Sequence, residues 1–164
     1  MNTDPDLILA DIVQHEMNVP ADHFWVYGEN VEAPKDKGLY IMVITGTAKR
    51  IGTSNVFDPA TNEEVKGVSI MQEYFIEVTS KDRSALERKE EIDLALISDY
   101  GVSQMELQGV QILRTGDVLD LSFVEASKAL KRYRIPCVMF YVKTKRTTVP
   151  YFNQFPPTIQ EVEA

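Results

Sequence analysis

The sequence predicts an α+β domain: a largely antiparallel sheet, two helices packed on one face of it, and a long protruding hairpin. Three observations predict it. Ile8, Leu9, Ile12, Val13 and Met17 recur at helical spacing, and so do Ala85, Ile92, Ala95 and Leu96. Two runs, Leu39 to Ile44 and Ile135 to Val142, are apolar on both alternating faces, as central strands are. Short turn sequences join several of the strand-like segments, which is the connection antiparallel neighbours use.

Each element has its own local signal. Asp4-Pro5 reads as an N-cap followed by proline at the first helical position, and Asn18 and Pro20 end that helix. Phe24 to Tyr27 is a short strand, Gly28-Glu29-Asn30 a turn, and Ala33 to Gly38 a polar loop. Leu39 to Ile44 is a central strand that Thr45 to Ile51 carries toward a more exposed end. Residues 52–67 are turn-rich and polar, interrupted by Val56-Phe57, and form the tip of the hairpin. Strand character resumes from Val68 to Thr79, with Tyr74, Ile76 and Val78 on one face and Glu73 and Glu77 on the other.

Ser80, Asp82 and Ser84 each offer an N-cap to the second helix, where Ser84-x-x-Glu87 has capping-box spacing and Tyr100-Gly101 closes the element. The run Glu87 to Glu91 is its solvated side. Val110 to Leu113 and Val118 to Phe123 are strands around the turn Thr115-Gly116-Asp117. Glu125 to Lys131 reads as a short helical turn or a loop before the last apolar strand. Residues 1–152 are expected to form one domain and 153–164, with Pro156-Pro157, an irregular terminal strap.

The chain has 164 residues, 44% hydrophobic and 26% charged, which is ordinary for a globular protein and excludes collagen-like, coiled-coil and wholly disordered classes. One cysteine, Cys137, forbids an internal disulfide, and with only His15 and His23 the chain lacks the ligands of a multi-thiolate or multi-histidine metal centre. No apolar run is long enough to span a membrane, and the acidic start Met1 to Asp6 lacks the basic region of a secretory signal. The expectation is a soluble protein made in a reducing cytoplasm, with no cofactor and no membrane partner.

The net charge of -8 is unevenly spread. Residues 1–36 hold eight acids and one lysine, while Lys128, Lys131, Arg132, Arg134, Lys143, Lys145 and Arg146 follow one another with no acid between them. Such a strip suits phosphate backbone or an acidic face of another subunit, or it is simply solvated strand ends. The acidity of the whole chain argues against dedicated nucleic-acid binding.

Catalytic patterns are missing. Cys137 lies mid-strand in an apolar run, where a thiol is an inert filler. No Gly-x-Ser-x-Gly elbow or phosphate-cradling glycine loop occurs, and Asp4, Asp6 and Asp11 do not have calcium-loop spacing. Asp117 and Asp120 flank a turn, a commonplace surface arrangement. The aromatics Tyr133, Tyr141, Tyr151, Phe152 and Phe155, interleaved with arginine and lysine, point instead to a protein interface. The reading is of a non-enzyme.

An N-terminal helix is followed by Gly28-Glu29-Asn30, Pro34 and Gly38-x-Tyr40 leading into a central strand. A long hairpin, a middle helix and Ser127-Lys-Ala-Leu-Lys-Arg-Tyr133 running into the last apolar strand complete the layout. Over residues 5 to 152 this resembles the tail terminator and neck proteins of tailed bacteriophages. The resemblance implies a structural virion protein that forms a homohexameric ring, terminates the tail tube and joins it to the head connector. Its partners would be other copies of itself, the tail tube protein and the portal or head-completion connector. Genome DNA would pass through the lumen without sequence-specific binding. The implied location is the virion neck, with the host cytoplasm as the site of assembly.

Phe57, Asp58, Arg132, Tyr133, Arg134, Lys143, Lys145 and Arg146 are the residues expected at subunit or partner contacts. A ring repeats one heterologous interface and needs two complementary patches on each subunit. A head-completion or stopper protein between portal and tail is the alternative station. A small cytosolic enzyme or ligand-binding domain of the same architecture is the third reading.

Overall fold

A computed structural model describes residues 4–26, 36–125 and 128–149. Helix α1 (Pro5–Met17) is capped by Asp4 and stopped by Asn18 in the left-handed conformation, as the sequence signals ask. A 3-10 turn (Ala21–His23) leads into β1 (Phe24–Val26), followed by β2 (Tyr40–Asp58) and β3 (Glu63–Ser80). Helices α2 (Ser84–Arg88), α3 (Glu91–Ile97) and α4 (Asp99–Gln108) come next. The strands β4 (Gln111–Arg114), β5 (Leu119–Asp120), β6 (Phe123–Glu125) and β7 (Lys128–Thr148) complete the order. The expected turn Gly28-Glu29-Asn30 and the strap 153–164 lie outside the described residues.

The sheet runs β1-β2-β3-β7-β4, with β5 and β6 also laid along β7. Every pairing is antiparallel except β1 with β2, which is parallel. The α+β class, the largely antiparallel sheet and the long hairpin expected from the sequence are therefore present.

One face of this sheet is the core. Across β2, β3 and β7 the register aligns Ile41, Val78 and Tyr133, then Val43, Ile76 and Ile135, then Thr45, Tyr74 and Cys137. Ile8, Leu9, Ile12, Val13 and Met17 of α1 and Ile92 and Leu96 of α3 bury themselves against that face. Each such side chain contributes roughly 1.5–3 kcal/mol by leaving water. A polar tie fixes the docking of α1. Tyr74 Oη donates to Asp6 Oδ1 at 2.6 Å, and Thr45 Oγ1 donates to Asp6 Oδ2 at 3.0 Å.

Four local expectations are corrected. Residues 52–67 are not all tip: β2 runs to Asp58 and β3 starts at Glu63, because cross-strand pairing carries both strands through this polar stretch and leaves residues 59–62 as the turn. The single middle helix is a succession of three: α2 and α3 part at Lys89 and Glu90, and Ser98 both ends α3 and starts α4. Its hydroxyl donates to the Ala95 carbonyl and accepts the Gly101 N–H, each at 2.9 Å. Tyr100-Gly101 is therefore the first turn of α4, and the closing residue is Gly109 in the left-handed conformation. The entry to α2 uses no Ser84–Glu87 capping box. Asp82 Oδ1 accepts the Ser84 N–H at 2.8 Å, and Ser80 Oγ accepts the Ala85 N–H at 3.0 Å.

Finally, Glu125 and Lys128 to Lys131, expected in a short helical turn or a loop, are strand, while residues 126–127 lie outside the described residues. Glu125 ends β6, and β7 begins at Lys128, well before the apolar run. Continuous pairing with β3 from Ser80↔Lys131 to Glu63↔Thr148 supplies the backbone bonds that make β7 a strand irrespective of side-chain polarity.

Candidate interaction surface

Beyond the helices, β2, β3 and β7 continue together as a three-stranded arm. The arm is about 30 Å long, from ten residues of strand at ~3.4 Å each. Most of its residues on β2 and β7 are exposed, so no described helix covers either face there. A third strand matters, since a two-stranded hairpin alone is marginal in water. Val56 and Val65 face each other across the inner pair. At the tip, Asp58 Oδ1 accepts the Ala60 N–H at 3.0 Å, which holds its carboxyl below the usual carboxylate range. Asn62, left-handed at φ 55°, donates from Nδ2 to the Val149 carbonyl at 2.8 Å while its own carbonyl accepts the Val149 N–H at 3.1 Å. The tip is thus tied to the end of β7.

Strand alternation sorts the arm's side chains onto two faces. Arg50, Lys66, Lys143 and Lys145 share the face that continues from the core, together with Thr53, Asn55, Phe57 and Glu64. Lys66 and Lys145 stand directly opposite each other, an arrangement of like charges that costs stability. Glu64 is the only carboxylate on that face among the described residues. It accepts from Asn55 at 2.6 Å and pairs with Lys66 at 3.0 Å. Asn55 and then Lys66 hold its carboxyl below the ordinary range. Lys143 lies over the Tyr141 ring at 5.7 Å. On the opposite face Arg146 reaches Glu63 at 3.2 Å.

The expected contact residues therefore divide. Phe57 is exposed beside the tip, and Lys143, Lys145 and Arg146 are exposed along β7. Tyr133 points into the core, packed with Val78 and Ile135. Arg132 and Arg134 lie on the far side of the body's sheet, where both bind Glu77, itself only 1% exposed. Arg132 Nε and Arg134 Nε each donate to it at 2.8 Å. The Arg134 guanidinium also covers the Phe75 ring at 5.2 Å. Sequence reading merged these arginines with the arm's lysines because they share one strand. It missed Arg50 and Lys66, which join the basic face only through β2–β3–β7 register. Period-2 alternation in β3 already placed Lys66 on the face of Ile70 and Tyr74, and that was the available signal.

The groups of catalytic type are committed elsewhere. Cys137 is buried, and burial pushes its thiol up to about 12. His23 stacks on Tyr40 and bonds the Leu39 carbonyl, and His15 stacks on Tyr100. Asp120 accepts the Ser122 N–H at 2.9 Å. Among the described residues no group of three or more His, Cys, Asp or Glu is placed to hold a metal ion. An open cavity of about 340 Å³ at the root of the arm, between Ile51, Ile70, Val110 and Tyr141, presents apolar walls without a convergent charged cluster.

No protein-family model matches the chain, and no curated protein matches it. Among solved structures it is similar to the sheath/tube terminator of an extracellular contractile injection system (PVC) in the extended state. That likeness has a TM-score of 0.45 and 11% identity, over 92% of this chain and 62% of that one. The chain thus spans less than two thirds of that neighbour's length.

Proposed function

We propose that this chain is a structural neck protein of a tailed particle. It forms a ring that ends the tail tube and joins it to the head connector. The observation that carries the reading is the three-stranded arm: an ordered extension with four cations on one face and Phe57 near its tip. An extension of this length, kept strongly charged and exposed, is suited to reaching another molecule rather than to closing a pocket. The phage-like layout of the sequence supplies the station, and six copies are the number that layout implies.

In this reading Lys143, Lys145 and Arg146, with Phe57 and Asp58 at the tip, meet an adjacent subunit or the tube. The acidic N-terminal region, with Asp4 and Asp11 exposed on α1, is the complementary patch. DNA passes the ring without base-specific contacts.

Electron microscopy of the purified protein mixed with tail tubes, and separately with portal connectors, tests this. Closed six-fold rings seated on tube ends are the expected result. Rings or single copies bound only to the connector would assign the stopper station. Binding to neither, with thermal stabilisation by a small molecule, would replace the structural reading with a ligand-binding one.

A further inference from the structure

Both edges of the arm lack a described partner strand. β1 covers β2 only at residues 41–43, and β4 covers β7 no further than Phe140. The outer backbone groups of β2 beyond Ile44 and of β7 from Tyr141 to Thr148 are thus unpaired among the described strands. Such an edge is a template for another strand, and proteins usually blunt it with lysine, proline, charge or a bulge.

The two edges differ in how they are guarded. β2 has bulges between Thr45 and Ala48 and between Arg50 and Gly52, then pairs regularly with β3 from Gly52 to Asp58. Between Ile51 and Phe57 it carries no charge and no proline, and Ile51, Val56 and Phe57 are more than half exposed. The β7 edge carries Lys143, Lys145 and Arg146.

We propose that the unguarded edge of β2, residues 52–57, pairs with the β7 edge of a second copy of this chain. Charge decides the partner. Two β7 edges would set three cations against the same three, whereas β7 against β2 sets Lys143 and Lys145 beside Thr53, Asn55 and Phe57 on one face and Arg146 beside Ser54 and Val56 on the other. Pairing two β2 edges would leave β7 open, while β7 with β2 satisfies both. Direction agrees as well. β2 and β7 are each antiparallel to β3 and so run parallel to one another. A rotation about an axis along the arm therefore joins them as a parallel pair, and a heterologous contact of this kind generates a ring when the rotation closes and a filament when it does not. The inference deepens the ring reading above and rests on it.

Asn55 and Lys145 both flank Lys66, on opposite sides of β3. Their Cα atoms are then about two strand spacings apart, roughly 9.6 Å, too far for a disulfide within one copy. The full chain bearing Asn55→Cys with Lys145→Cys, oxidised at high concentration, is expected to give a multimer ladder on a non-reducing gel. Thr53→Cys and Phe57→Cys, each with Lys145→Cys, cover a register shift, and each single-cysteine variant is expected to stay monomeric. Val56→Lys added to the best pair should abolish the ladder while leaving the melting temperature unchanged.

Dimers from Asn55→Cys alone would replace the proposal with a two-fold β2 pairing. Rings seen by microscopy with no ladder from any pair would overturn the edge pairing and leave the neck reading intact. Absence of both rings and ladder would overturn the edge pairing too. A ladder from chains that never cap tubes would keep the edge pairing and overturn the neck reading.

Discussion

Glu77 and Arg134 face each other across the β3–β7 register, and Arg134 donates from Nε at 2.8 Å and from Nη2 at 2.5 Å to the same Glu77 oxygen. Arg132 occupies the other oxygen, so one buried carboxylate holds two guanidiniums on the face of the sheet away from the helices. A buried charge that loses its partner costs more than the pair contributes. Glu77→Gln is therefore expected to destabilise the protein by about 2–3 kcal/mol, below the ~3–5 kcal/mol of a fully buried pair because both arginines are about a third exposed. Arg134→Ala should cost less, since Arg132 still neutralises Glu77. Urea unfolding of both variants checks the order, and equal losses would contradict this account.

Charge reversal on the arm should behave differently. Lys143→Glu with Lys145→Glu alters exposed side chains and relieves the Lys66–Lys145 opposition, so stability should change by less than about 0.5 kcal/mol. Assembly on tubes should nevertheless be lost, and that combination of unchanged melting and lost capping is the expected readout. Reversing Arg132 and Arg134 would confuse the two effects, because acids would then oppose buried Glu77.

Alkaline pH should weaken the fold through two groups. Burial raises the Cys137 thiol to about 12, and burial followed by the bond to Asp6 raises the Tyr74 hydroxyl above its usual range. The unfolded chain loses these protons near pH ~8.5 and ~10, while the folded chain keeps them. The folded state therefore binds more protons, and stability falls with rising pH by up to about 1.4 kcal/mol per pH unit for each group. The stabilisation is complete below pH ~8.5 and is lost progressively toward 12. Denaturant midpoints measured from pH 7 to 11 should show this fall. Cys137→Ala should delay its onset, and Tyr74→Phe should flatten its upper part.

Two glycines near the third and fourth helices should respond for different reasons. A Cβ on Gly101 would lie 2.4 Å from the Ala95 carbonyl oxygen, so Gly101→Ala must push α4 away from α3 and should cost about 1–3 kcal/mol. At Gly109 nothing lies within 4 Å, but φ is 65°, so Gly109→Ala should cost only the left-handed penalty of about 1–2 kcal/mol. Gly109→Asn, which tolerates that conformation, should recover part of the loss, whereas no side chain recovers Gly101. Thermal melts of the three variants give the comparison.

The sequence by itself determined the elements whose signals are local. Asp4-Pro5 and Asn18 bound α1 because capping is decided within a turn of chain. The alternation of Tyr74, Ile76 and Val78 against Glu73 and Glu77 placed the Val68 to Thr79 part of β3, because Tyr74, Ile76 and Val78 are buried there, and missed its start at Glu63. Only the tertiary structure decided what depends on register. Polar β2 residues such as Thr53 and Asn55 are strand because β3 lies beside them, and Lys143 to Thr148 are strand for the same reason. Register separates Arg132 and Arg134, bound to Glu77, from Lys143 and Lys145, which join Arg50 and Lys66 on the arm. Backbone pairing between distant segments carries little side-chain signature, and which charges become neighbours is settled only when those strands align.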